Sequence, residues 1–229
     1  GAGMKYDGPE AGFGVSSGSE SPPSAKPAEP ATILAIDTST ASLALAVVRG
    51  DTVLGTVQSH AERNHSVLIV PEIKRLLAEC GTAPQQLDAI AVGQGPGSYT
   101  GVRIAVTAGK TLAWSWGKPL IGISSLEALA FGAWESAMAL PAGDGASDGD
   151  GRKPIWIVPS MDARRGQVYT ALFAADTAGN WTRTEEDGIR LAADWMHRLL
   201  RQEAEAADGA GALLLFVGDT SPYPAMPDG

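Results

Sequence analysis

Residues 93–101, Gly-Gln-Gly-Pro-Gly-Ser-Tyr-Thr-Gly, join the apolar run 89–92 to a long helix-forming segment, and this junction limits the possible folds more than any other stretch. A strand that turns at once into a helix needs backbone freedom. Gly93, Gly95, Gly97 and Gly101 supply it by admitting positive φ and close approach of other groups. The helix start leaves unpaired N–H donors and a partial positive charge. Such a corner either holds an anion or packs tightly on a neighbouring segment. It lacks the Gly-Lys-Ser/Thr ending of a P-loop and the spacing of a dinucleotide fingerprint, so tight packing is the leading reading from the residues alone.

Around this corner the hydrophobic pattern alternates between strand and helix. Residues 32–37, 43–48 and 52–58 are short apolar runs separated by turn chemistry and read as antiparallel strands. From Ser66, a candidate N-cap, apolar residues recur every three or four positions as far as Cys80, with Gly81 as the stop. Pro71 predicts a kink or a later helix start. Strand 88–92, helix 100–116, strand 120–123 and helix 125–138 follow. Helix 100–116 has a polar stripe of Arg103, Thr107, Lys110 and Thr111, and a stripe of mostly small residues that includes Val102, Ala105, Val106, Gly109 and Ala113. Strands at 155–158, 167–173 and 181–184, a helix at 191–206 and a strand at 213–217 form a second, smaller α/β lobe. The expected division is a disordered tail over 1–31, a first lobe over 32–123, and a second lobe over 124–229 with a flexible acidic loop at 141–153.

Charge and side-chain inventory narrow the chemistry. A net charge of −9 and an excess of acidic over basic residues disfavour a surface that grips nucleic acid unaided, since phosphate contacts need clustered Lys and Arg. Cys80 is the only cysteine and predicts a reducing, cytoplasmic setting. His60, His65 and His197 are too scattered for a zinc site or a Ser-His-Asp set. No membrane span is expected. The Asp-x-Asp spacing in 141–153 lacks the glutamate that would close a calcium loop.

The order of elements resembles the first lobe of the actin, hexokinase and Hsp70 superfamily. Residues 33–40 (Ile-Leu-Ala-Ile-Asp-Thr-Ser-Thr), 95–104 (Gly-Pro-Gly-Ser-Tyr-Thr-Gly-Val-Arg-Ile) and 161–164 (Met-Asp-Ala-Arg), followed by Val168 and Tyr169, resemble the TsaB family more specifically. These are accessory subunits of the bacterial machinery that makes N6-threonylcarbamoyladenosine at adenosine 37 of tRNA. The resemblance spans 32–218 and implies an α/β, two-lobed actin/hexokinase/Hsp70-like (ASKHA) ATPase fold with mixed sheets flanked by helices. It implies a non-catalytic scaffold or pseudoenzyme that pairs with the catalytic TsaD subunit, works with the ATPase TsaE, forms a homodimer when alone, and meets tRNA only indirectly. The catalytic relative carries a metal-binding His-x-x-x-His pair where this chain has Ser125 and Leu129. A hydroxyl and an isobutyl group cannot replace two imidazoles, so neither a metal nor a catalytic residue is expected. Such families usually continue into a closing helical segment, so the second lobe is expected to be incomplete.

The resemblance assigns the helix pair 66–80 and 100–116 to partner binding, through Ile69, Ile73, Leu76, Val102, Arg103, Ala105, Val106, Gly109 and Ala113; the competing reading covers both helices within the chain. Asp37, Thr38, Ser39, Gly95 and Gly97 stand where related kinases hold phosphate, and residual nucleotide contact competes with a polar turn. No cofactor is expected to bind tightly, with ATP or ADP only at a junction between subunits. Asp162, Arg164 and Arg165 read as a local ion-pair corner or a partner contact, and Gln167 replaces a glutamate frequent in the family. The rival functions are an ATP-dependent phosphotransferase and a glycopeptidase-like metalloenzyme.

Overall fold

The computed structural model describes residues 29–60, 64–139, 153–176, 178–206 and 211–225. Nearly all of the expected tail 1–31 and flexible loop 141–153 lies outside them. The first lobe contains β1 (Thr32–Asp37), β2 (Leu43–Arg49), β3 (Thr52–Ser59), α1 (His65–Glu79), a 3-10 turn (Pro84–Gln86), β4 (Ala89–Gly93), α2 (Tyr99–Trp116) and β5 (Leu120–Ile123). The second contains α3 (Ser125–Ala139), β6 (Ile155–Asp162), β7 (Gln167–Ala175), β8 (Trp181–Leu191), α4 (Ala192–Ala206) and β9 (Leu213–Gly218). The strand orders are β3-β2-β1-β4-β5 and β8-β7-β6-β9.

Local chemistry sets the first sheet. Gly50, at φ 56°, turns β2 into antiparallel β3. The parallel pairs β1–β4 and β4–β5 each require a crossover, supplied by α1 and α2. Strict alternation along β1 and β2 sends Leu34, Ile36, Leu43, Leu45 and Val47 to one face, where Ile69, Ile73, Leu76, Ala105 and Ala113 cover them. Each fully buried aliphatic side chain contributes about 2 kcal/mol relative to exposure. The other face carries the half-buried Ala35, Ala44, Ala46 and Ala91 and bounds a groove of about 560 Å³.

The second sheet is covered on both faces. Leu126 and Ala130 of α3 pack on Ile157, Ala171 and Phe173, while Trp195 and Leu199 of α4 pack on Val158 and Leu172. This explains the nearly continuous burial of β7. Pro159 sits inside β6, where direct pairing with β7 lapses between Ile157 and Ser160, so its missing N–H interrupts no ladder there.

The structure corrects several element boundaries. Asn64, not Ser66, is the N-cap of α1, and it makes no side-chain capping bond. Helix α1 runs unbroken through Pro71, which is exposed, so the amide bond it lacks falls on the solvent side. Strand β8 continues to Leu191 rather than ending at 184. Its charges obscure the alternation: Arg183 pairs with Glu127 of α3 at 2.7 Å and with Asp187, and Glu185 pairs with Arg198 of α4 at 3.0 Å. Trp114 on α2 is 86% exposed.

Gly109 lies where α2 crosses β4, and a methyl added there would overlap Val92 Cγ1. Gly109→Val is therefore expected to cost about 1–3 kcal/mol by overpacking, measurable as a lower urea midpoint. An unchanged midpoint would mean that α2 has room to shift on the sheet.

Candidate functional site

The turn after β1 and the glycine corner after β4 interlock. Asp37 Oδ1 accepts from Ser39 N at 2.7 Å and from Ser39 Oγ at 2.5 Å. Thr38 is fully buried; its hydroxyl donates to the Gly101 carbonyl and accepts from Ala105 N at 3.1 Å, tying the turn to the first turns of α2. Ser39 O accepts from Ser98 N at 2.7 Å, and the Ser98 side chain caps α2 by accepting from Gly101 N at 3.2 Å. The glycines are there because neighbours press on them. A methyl on Gly93 would strike the Asp37 carboxylate, and one on Gly101 would strike Thr38 O. Gly95, at φ 89°, packs beside Val102. Of the two readings of this corner, close packing describes it: the amides of Ser39, Gly95, Ser98 and Gly101 already donate to oxygens of the chain itself.

Ser125 and Leu129, which the resemblance sets against a histidine pair, each lie in the chain's own packing. Ser125 is buried, and its Oγ accepts from Gly95 N at 3.1 Å. Leu129 is half-buried against the second core, where a methyl on Gly218 would press on its Cδ2, and it also lines the cleft between the lobes. Among the described residues no group of three or more His, Cys, Asp or Glu is gathered closely enough to hold a metal ion. Between the lobes runs a cleft of about 950 Å³, lined by Ser39, Thr40, Gly97, Ser98 and Thr100 on one side and by Ser160, Asp162, Arg164 and Asp219 on the other. Asp37, Thr38 and Gly95 do not line it. Among the described residues Asp162 pairs with no arginine side chain; its Oδ1 accepts from Arg164 N at 2.8 Å in a turn local to the hairpin. Arg164 and Arg165 are exposed there at φ 66° and 55°. Gln167 opens β7.

The residues expected to bind a partner divide into two sets. Ile69, Ile73, Leu76, Ala105, Gly109 and Ala113 are buried against the chain's own sheet, so they are corrected from surface to core. Their small or branched side chains let α1 and α2 approach the strands closely. Val102 and Val106 are half-buried on the flank of α2, and only Arg103 is exposed.

The surface that the two helices do present is different. A groove of about 480 Å³ runs between them, with Ile69, Ile104, Ala108 and Leu112 in its lining and Val70, Tyr99, Arg103 and Thr107 at its rim. Val67, Tyr99 and Trp114 are 71%, 76% and 86% exposed. Arg103 lies over the Tyr99 ring at 5.3 Å and donates to its hydroxyl at 2.8 Å. Neither Tyr99 nor Trp114 is among the residues expected from the sequence to bind a partner. Their signal was positional: Trp114 continues the outward stripe Arg103, Thr107, Lys110 and Thr111. On the far flank of α1, Arg75 donates to Glu72 and Glu79 at 2.5 and 2.6 Å, and these bonds, Glu72 first, raise its pKa.

Comparison with known proteins converges on one group. A family model described as TsaD, tRNA N6-adenosine threonylcarbamoyltransferase, matches residues 50–210. The tRNA threonylcarbamoyladenosine biosynthesis protein TsaB of Bacillus subtilis is 41% identical over 85% of this chain and 74% of its own length. The Escherichia coli protein of the same name is 34% identical over 74% of this chain and 66% of its own length. The solved structure of YeaZ from Pseudomonas aeruginosa superposes with a TM-score of 0.59 at 28% identity, over 71% of this chain and 68% of that one. The fold is that of the two-lobed actin-like ATPases.

Thr38→Val removes both bonds of the buried hydroxyl while keeping its shape. It is expected to cost about 1–3 kcal/mol in urea unfolding. A variant as stable as the parent would show that the interlock rests elsewhere.

Proposed function

This chain belongs to the TsaB family, and from that premise we propose that it serves tRNA threonylcarbamoyladenosine biosynthesis as a non-catalytic subunit in the cytoplasm, docking a TsaD-like catalytic subunit on the outer face of α1 and α2. The observation that carries this reading is the fate of the two histidine positions. The Ser125 hydroxyl is already bonded to the glycine corner, and Leu129, half-buried against the second core at the wall of the cleft, has no lone pair to offer a metal. A chain that keeps the scaffold without those ligands contributes by binding. Its docking face stabilises one arrangement of the catalytic subunit, which is a population shift and not a lowered chemical barrier of its own.

The exposed Val67, Val70, Tyr99 and Trp114 support docking through these helices, because apolar and aromatic side chains form the centres of protein interfaces. The same face would pair two copies of the isolated chain at high concentration. A TsaE-like ATPase is assigned to the assembled pair, with tRNA held by the catalytic subunit. ATP or ADP is assigned only to the junction of the subunits, since the turn amides at Ser39, Gly95 and Ser98 are occupied within the chain.

The reading is tested by reconstituting tRNA modification from the three proteins and omitting this one. Modification is expected to fall to background without it, and Val67→Asp with Val70→Asp is expected to abolish co-elution with the catalytic subunit at an unchanged melting temperature. Full modification in its absence would overturn the assignment. Phosphoryl transfer from ATP by the chain alone would favour the phosphotransferase reading instead.

A further inference from the structure

The face described above is electrically unlike the rest of the molecule. The chain carries 26 acidic residues against 17 basic, a net charge of −9. Yet α2, 18 residues long, contains no Asp or Glu; its only charges are Arg103 and Lys110, both exposed. They stand seven positions apart, two turns along one outward stripe. On α1 the exposed Lys74 follows Val70 by one turn, on the side of the groove. The acidic residues of α1, Glu72 and Glu79, both serve Arg75 and line no part of the groove. Lys74, Arg103 and Lys110 have no ion-pair partner among the described residues. The Arg103 guanidinium is held in place by its bond to the Tyr99 hydroxyl, which reduces the entropy lost when it meets a carboxylate.

Resting on the reading that this face docks a partner, we propose that it selects an acidic helical surface over a second copy of the chain, with Arg103, Lys110 and Lys74 each meeting a carboxylate. A two-fold pair presents the same patch from both sides, so self-association sets these cations against one another, with no free carboxylate among the described residues of the two helices to offset them. An acidic partner turns the same charges into attraction and fixes register along the groove. The exposed Val67, Val70 and Trp114 between the cations match the apolar centre of a protein interface rather than a phosphate backbone.

The proposal makes the two associations respond oppositely to salt. Titration of the purified TsaD-like subunit with the full chain is expected to weaken about tenfold or more from low to high sodium chloride, as attraction is screened. Self-association of the chain alone, by sedimentation, is expected to stay weaker than the heteromer and to tighten over the same range. Arg103→Glu with Lys110→Glu is expected to weaken the heteromer at least about tenfold at low salt. Lys74→Glu, which leaves the Tyr99 contact intact, is expected to move it in the same direction, and melting curves verify that each variant is folded. Heteromer binding indifferent to salt and to these variants would overturn the charge selection while leaving the docking face standing. Absence of a heteromer at every salt would instead overturn the proposed function. Self-association as tight as the heteromer at low salt would also overturn the selection. So would loss, in the variants, of tRNA retention by the chain alone with heteromer affinity unchanged, which would assign the cations to RNA.

Discussion

One buried hydroxyl fastens the first lobe. Thr38 accepts from Ala105 N and donates to Gly101 O, so the end of β1 is bonded directly to the start of α2. Strand β4, the glycine corner and the Ser98 cap must then fit around that bond. Gly93 and Gly101 are bare because Asp37 and Thr38 occupy the volume a side chain would take. Ser125 joins the same network through Gly95 N and links it to α3, the first element of the second lobe. In this corner the amides of Ser39, Gly95, Ser98 and Gly101 are already bonded within the chain.

The two-faced character of α1 and α2 follows from the same geometry. Pinned closely on the strands, α2 must be narrow beneath, and Gly101, Ala105, Gly109 and Ala113 provide a buried edge at four-residue spacing. Small side chains below leave the large ones to point outward. Tyr99, Arg103, Lys110 and Trp114 are consequently displayed rather than buried. The interlobe cleft, by contrast, is lined mainly by hydroxyls and turn carboxylates, several of them already bonded locally. The cleft and the groove between α1 and α2 meet at Tyr99 and Thr100, which line both.

The second lobe depends on charge where the first depends on close packing. Strand β8 carries Arg183, Glu185, Asp187 and Arg190, and its salt bridges reach α3 on one side and α4 on the other. Arg190 and Arg198 both lie over Trp195, at 4.4 and 4.6 Å, so the guanidiniums cover the buried ring as well as pairing with acids. Desolvation lowers the Arg190 pKa, with Glu185 opposing it.

Much of the first lobe was legible in the sequence. Strand alternation in 32–37 and 43–48, the glycine corner and the stop at Gly81 are local signals, written in residues within a few positions of one another. The motifs at 33–40, 95–104 and 161–164 likewise identified the family before any geometry. The length of β8 was not legible, because its charges are satisfied by α3 and α4, far away in the chain. Nor was the division of the helix pair. Helical spacing by itself shows that Ala105, Gly109 and Ala113 share one side and Arg103, Thr107 and Lys110 another, but a stripe of small residues fits an own sheet and a partner helix equally well. Only the folded chain decides between them: the crossovers β1–α1–β4 and β4–α2–β5 press the small stripe onto Val92 and its neighbours and turn the aromatic and cationic stripe to solvent.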